Sequence, residues 1–342
     1  MSPKNSTTKQ PWGIWLLFTW IVIISTLISG CAGAKPTVYR VGVLSGLSAF
    51  SPALDGFKSK MTQLGYIEGE NITYDVQSTE VDIDAYKAIT KKFVEDKVDL
   101  IFVFPTEAAA IAKESAMETN IPVVFTLSFT DVAEINLINS VREPGGNITG
   151  VRFPSVDIAS KRLQILLEMA PNAKRILVPY LKDYPNVPGQ LNVIRPQAEN
   201  AGIELIEFAA ASPTDLQSEL DKRAALDDIG IDAILLIAEP LGITPPFYTI
   251  LGKFGYEHKI PIGGAIMTTD DGYDSIFGLL PNPSTTGEQA ALLADKIFKG
   301  TPAGKIPVVT ADSDLRINYK ATQKLKITVP DGLFKQADEI IR

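Results

Sequence analysis

Val98-Asp99-Leu100-Ile101-Phe102-Val103-Phe104 and Ile231-Asp232-Ala233-Ile234-Leu235-Leu236 are the two stretches on which the fold turns. Each is a short apolar run, interrupted once by an aspartate near its start. A run of this length between turn signals reads as a strand buried on both faces, the mark of a parallel sheet covered by helices. Their surroundings also correspond. Leu64-Gly65 leads to Asn71-Ile72-Thr73-Tyr74 as Ala201-Gly202 leads to Ile203-Glu204-Leu205-Ile206. Asn120-Ile121-Pro122-Val123-Val124 is matched by Lys259-Ile260-Pro261-Ile262-Gly263. Any doubly wound sheet repeats helix, glycine and strand, but here element order and spacing agree too. The chain therefore reads as two lobes of one design.

Working outward, strands are expected over 39–44, 71–77, 98–104, 121–127 and 147–153, then over 175–179, 203–208, 232–237, 260–265 and 276–281. Amphipathic stretches between them predict helices over 52–64, 83–96, 106–119, 160–169, 190–201, 214–226 and 284–298, with a short one around 133–141. The expected architecture is α/β, two Rossmann-like lobes with parallel sheets and a hinge cleft. The first lobe covers 37–153 with a return segment at about 281–305, the second covers 154–280, and 306–342 completes both.

The first thirty residues have a different character. Lys4 and Lys9 precede an uncharged run from Trp12 to Ile28, and Ile28-Ser29-Gly30-Cys31 follows. A positive start, an apolar run and small residues before a cleavage point make a signal peptide over 1–30. The small pair before a cysteine resembles a bacterial lipobox. That resemblance implies cleavage before Cys31, a diacylglycerol anchor (palmitate among its acyl chains) on its thiol, and a linker over 31–36. The alternative is an uncleaved anchor, since about 18 apolar residues just span a bilayer. Cys31 is the sole cysteine, so no intramolecular disulfide or cysteine metal site is expected.

The formal net charge is −8, and removal of Lys4 and Lys9 takes it to −10. So acidic a body is a poor nucleic-acid binder, because that role draws on clustered Lys and Arg. Enzymatic signals are also missing. His258, the single histidine, lies in a helix-to-strand connection and reads as a surface residue. The sequence holds no Gly-x-Ser-x-Gly elbow, P-loop or Gly-x-Gly-x-x-Gly. Asp270-Asp271 and Asp312-Ser313-Asp314 lack the calcium-loop pattern. No catalytic residue, metal or cofactor is expected.

From about Val38 to Ile341 the chain resembles the substrate-binding lipoproteins of ABC transporters. It is similar to the type I periplasmic-binding branch that includes tryptophan- and other aromatic-amino-acid-binding members. The resemblance rests on Leu64-Gly65-Tyr66-Ile67-Glu68-Gly69-Glu70-Asn71, Asp99-Leu100-Ile101, Ile121-Pro122-Val123-Val124-Phe125, Pro144-Gly145-Gly146-Asn147-Ile148-Thr149-Gly150-Val151, Ile317-Asn318 and Ile327-Thr328-Val329-Pro330. It implies a non-catalytic monomer, lipid-anchored outside the cytoplasm, that closes on a small organic ligand and delivers it to an ABC permease in the membrane. A lipid-anchored sensor feeding a membrane signalling protein is the second reading.

The same resemblance puts ligand contacts on loops after the strands: Ser45, Phe50, Thr106, Glu107, Ser128, Phe129 and Asp131 in the first lobe. Thr106 opens a helix whose free amides suit a carboxylate, Asp131 suits an ammonium group, and Phe50 and Phe129 suit an apolar body. The plainer alternative makes Thr106 and Asp131 helix caps, and the two phenylalanines core. In the second lobe the family's polar turns are replaced by Val178-Pro179-Tyr180-Leu181-Lys182-Asp183-Tyr184-Pro185, Ala238-Glu239-Pro240-Leu241 and Gly263-Gly264-Ala265-Ile266. Tyr180 and Glu239 are the contacts expected there.

Overall fold

The computed structural model describes residues 1–2, 38–131, 135–270 and 272–342. The signal peptide, Cys31 and the 31–36 linker lie outside the described residues. So does the start of the short helix expected around 133–141.

The first lobe begins with β1 (Tyr39–Ser45), α1 (Pro52–Gln63), β2 (Ile72–Ser78), α2 (Ile83–Glu95) and β3 (Leu100–Phe104). It continues through α3 (Thr106–Ala116), β4 (Val123–Ser128) and β5 (Ile148–Arg152). The second lobe holds α4 (Ala159–Met169), β6 (Arg175–Leu181), α5 (Val187–Asn200), β7 (Glu204–Ala210) and α6 (Pro213–Ala224). Then come β8 (Ala233–Leu236), α7 (Pro245–His258), β9 (Ile262–Gly264), the hairpin of β10 (Thr269–Asp270) and β11 (Tyr273–Asp274), and β12 (Phe277–Pro281). The last segments are α8 (Pro283–Phe298), β13 (Val309–Thr310), β14 (Ser313–Asn318), α9 (Tyr319–Lys324), α10 (Asp331–Gln336) and β15 (Glu339–Ile341).

One sheet runs β13-β5-β4-β3-β1-β2, with every pairing parallel. The other runs β15-β14-β12-β9-β8-β6-β7, where β14 alone is antiparallel to its neighbour β12. The apolar runs that follow Asp99 and Asp232 form β3 and β8, each buried along its whole length inside its own sheet. Strands covered on both faces need no polar alternation, which is why the strands that follow Asp99 and Asp232 are continuously apolar. The edge strands β2 and β7 are instead mostly half-buried or exposed.

Local signals account for the helix starts. Asp82 accepts from the Ala85 amide at the start of α2, and Ser212 from the Asp215 amide at the start of α6. Asn282 accepts from the Ser284 amide before Pro283 opens α8. On α2, Tyr86, Thr90 and Phe93 share the buried face at helical spacing. The expected helix around 133–141 is absent over its described part. Residues 135–141 are irregular, and Asn136 takes a left-handed φ of 44°. Leu137 and Ile138 pack into the first-lobe core from this segment, so the apolar pair that suggested a helix is satisfied without one.

The chain crosses between the lobes after β5, after β12 and between β13 and β14. After the second crossing α8 lies against α1 of the first lobe, backbone on backbone. A Cβ on Gly56 would stand 1.9 Å from the Ser284 carbonyl oxygen, and one on Gly287 1.9 Å from that of Ala53. Arg162 of α4, 1% exposed, ties the first two crossings together. Its Nε donates to the Leu279 carbonyl at 3.1 Å and its Nη1 to that of Ser155 at 3.0 Å. Burial pushes this guanidinium down to about 9.

Candidate functional site

Both sheets point the C-terminal ends of their parallel strands at the gap between the lobes, where open α/β sheets bind ligands. A chamber of about 760 Å³ occupies that gap. From the first lobe it is lined by the loop from Leu47 to Phe50 after β1, by Glu80 after β2, and by Thr106 and Glu107 at the start of α3. Leu127 and Phe129 at the end of β4, and Phe153 after β5, close that side. The second lobe supplies Leu181 and Tyr184 after β6, Glu239 after β8, Phe247 of α7 and Ile266 after β9. A groove of similar size, about 770 Å³, lies where the first sheet's strands begin, near Asp99, Gly145 and Phe298. It touches one lobe only, so hinge motion cannot gate it.

Backbone geometry shapes the chamber wall. The pairing of β4 with β5 shifts register between Phe125 and Ser128, and Leu127 takes a left-handed φ of 50° there. A bulge of this kind re-aims side chains at the end of a strand, and Leu127 lines the chamber at 2% exposure. Next to it, Phe129 packs edge-on to Phe153 with ring centroids 5.4 Å apart.

Among the described residues three carboxyl groups line the chamber, and each is held differently. Glu80 accepts from the Ser48 amide at 3.1 Å and fixes the β1 loop from an exposed position. Glu107 accepts from the Tyr184 hydroxyl at 2.9 Å, a bond with one partner in each lobe. Burial raises the Tyr184 phenol well above its ordinary range, and the Glu107 charge adds to the effect. Glu239 is the most sheltered, at 4% exposure. It accepts from the Leu241 amide at 3.1 Å and the Leu181 amide at 3.3 Å. Burial pushes its carboxyl up to about 8, with the two amides opposing the rise.

The expected contacts divide. Phe50, Thr106, Glu107, Phe129 and Glu239 meet at the chamber; Ser45, Ser128, Asp131 and Tyr180 are not in its lining. Ser45 is buried at the last position of β1, where its carbonyl accepts from the Thr79 amide. Ser128 is buried too, and its hydroxyl donates to the Thr126 carbonyl at 2.9 Å, so the strand's own backbone uses its polar group. Asp131 is exposed and within electrostatic reach of Arg152 and Asp157. Tyr180 packs against the second-lobe core and senses Glu207 and Arg195, because alternation along β6 sends it to the sheet face under α5. Thr106 is not a cap. Pro105 holds that position, and the Thr106 hydroxyl accepts from the Phe129 amide at 3.0 Å, joining two walls of the chamber.

Lining residues not expected from the sequence include Glu80, Phe153, Leu181, Tyr184 and Phe247. Tyr184 sits in the same departing turn as Tyr180. Its position beyond the strand end, where alternation no longer applies, was the available signal.

Comparison with known proteins agrees with this architecture. The family described as ABC transporter substrate binding protein matches residues 41–341. The tyrosine-binding protein of Clostridioides difficile is 27% identical over 309 residues, covering 84% of this chain and 82% of that protein. A Streptococcus pneumoniae ABC domain solved in complex with L-Trp superposes with a TM-score of 0.74 at 22% identity, covering 89% of this chain and 100% of the other. A substrate-binding protein with adhesive properties from Clostridium difficile, solved ligand-free and open, gives 0.69 at 25% identity, covering 89% and 99%. The two lobes, their parallel sheets and the sequence match from end to end of the folded body lead to one conclusion: the chain belongs to the ABC transporter substrate-binding protein family.

Proposed function

We propose that this chain is the solute-capturing lipoprotein of an ABC importer. It works outside the cytoplasm, held to the membrane through Cys31. It takes a small organic molecule, amino acid-like or related, between its lobes and presents the closed form to a membrane permease. The observation that carries this reading is the Tyr184–Glu107 hydrogen bond across the chamber. A hinge that responds to ligand needs contacts made only on closure, and this bond has one partner on each side of the hinge. The L-Trp and tyrosine named for two relatives support a ligand of amino-acid size.

Thermal unfolding and small-angle scattering test the reading together. In a screen of amino acids, amines, short peptides, nucleosides and sugars, a true ligand at a hundred times its Kd adds about 2.7 kcal/mol of stability. The same compound should compact the protein as the lobes close. If nothing in the screen raises the melting temperature or compacts the chain, the importer reading fails. For the anchor, Cys31→Ser should move the protein from the membrane to the soluble fraction. Undiminished membrane retention would point to the 12–28 run as the anchor instead.

A further inference from the structure

We infer that the chamber selects an organic cation, an apolar or aromatic body carrying a protonated nitrogen and no carboxylate, over a zwitterionic amino acid. The inference rests on the ligand-binding reading above and names the chemistry of that ligand.

Among the described residues the charged side chains lining the chamber are Glu80, Glu107 and Glu239, with no Lys, Arg or His in the lining. The arginines at the hinge are engaged elsewhere. Arg162 donates to the Leu279 and Ser155 carbonyls, and Arg152 to Asp157 and Thr310. A ligand carboxylate would therefore lose its water beside Glu80 and Glu107 with no cation to replace it, which is strongly unfavourable. Two helices begin at the chamber: α7 opens on Pro245 and Pro246, which carry no N–H, and its Phe247 and Tyr248 amides donate to the Thr244 carbonyl, so α3 is the start left to attract an anion. Glu107 lies in the first turn of α3, where its charge offsets the helix's positive end and repels a ligand carboxylate.

The apolar walls favour the same ligand. Phe50, Phe129, Phe153 and Phe247 surround the space, and the negative face of a phenyl ring attracts an ammonium group while accepting its hydrocarbon body. Glu239 completes the case. It is almost fully buried, both oxygens accept from backbone amides, and no basic side chain pairs with it among the described residues. An ammonium group at that carboxylate would supply the missing counter-charge. Because burial raises Glu239 to about 8, the ligand-free carboxyl holds a proton at neutral pH, and the arriving cation should displace it.

Isothermal titration of the full-length protein in detergent micelles tests this with paired compounds. Tyramine, phenethylamine, tryptamine and phenyltrimethylammonium are compared with L-tyrosine, L-phenylalanine and L-tryptophan, in two buffers of different ionisation enthalpy. At least one amine should bind ten-fold or more tighter than its parent amino acid, with proton release at pH 7. Glu239→Gln should weaken that amine ten-fold or more and abolish the proton release. Glu107→Gln gives a second reading of the same loss should the first variant fold poorly. An amino acid binding as tightly as its amine overturns the cation inference and leaves the importer reading intact. Binding by no member of either set also overturns it, and the broader screen then decides the importer reading separately.

Discussion

Glu239 shows how one residue's surroundings set its chemistry. Its carboxyl has an ordinary value of 4.5 and stands at about 8 in the fold because burial disfavours the charge. As pH rises from 4.5, the unfolded chain loses this proton before the folded chain does. Stability should therefore be greatest below pH 4.5 for this group, fall between 4.5 and 8, and level off above, a total on the order of 5 kcal/mol. Glu239→Gln should flatten that slope and make the ligand-free protein more stable than wild type at pH 8. Urea unfolding at pH 5 and pH 8 checks it; an unchanged slope in the variant would show that Glu239 ionises freely in the fold. Glu239 could be named from the sequence because it follows directly on the apolar run of β8, a position where loops meet ligands. Tyr180 misled for the opposite reason: it is still inside β6, so the pleat and not the loop governs its direction.

At the level of elements, the contact of α1 with α8 determines whether the segment returning from the second lobe stays on the first. Replacing glycine by alanine in a helix normally gains about 1 kcal/mol of propensity. At Gly287 the added methyl meets the Ala53 carbonyl oxygen at 1.9 Å, and backbone cannot step aside without separating the helices. Overpacking of this kind costs roughly 1–3 kcal/mol, so the clash outweighs the propensity. Gly287→Ala should lower the melting temperature by several degrees. Gly332→Ala, in α10 with open space around its Cβ, should leave it unchanged or raise it slightly. Equal melting points for the two variants would mean that the helices part at little cost. Elements with strong local signals were legible in advance, such as α2 with its Asp82 cap and stripe of Tyr86, Thr90 and Phe93. The 135–141 segment was not, because its apolar pair is buried by neighbours far away in sequence.

For the whole molecule, the quantity of interest is the balance between open and closed lobes. Tyr184→Phe removes the hydroxyl that bridges to Glu107 and leaves the aromatic ring in place. A hydrogen bond to a charged acceptor is worth about 1.5–3 kcal/mol, so closure should weaken roughly ten-fold or more. Scattering should show a more extended ligand-free protein, and affinity for any ligand that binds the closed form should drop by a similar factor. A compact variant with unaltered affinity would show that apolar contacts across the cleft hold the lobes together. Ala238 and Ala265 of the second lobe already share an apolar cluster with Leu127 and Phe153 of the first, so the comparison weighs one polar bond against that packing.

The two-lobed plan is written in the chain's local patterns. Buried parallel strands must be continuously apolar, helices must be capped and ended by local chemistry, and both constraints recur in order along each half of the chain. The sequence also placed Phe50, Thr106, Glu107, Phe129 and Glu239 near a cleft, because the ends of parallel strands converge there. Only the tertiary structure decided which neighbours face inward, that Thr106 braces Phe129, and that Tyr184 reaches Glu107 across the hinge. The acidic lining is likewise a tertiary property. Glu80, Glu107 and Glu239 are far apart along the chain, and only the closing of one lobe on the other brings their charges around one space.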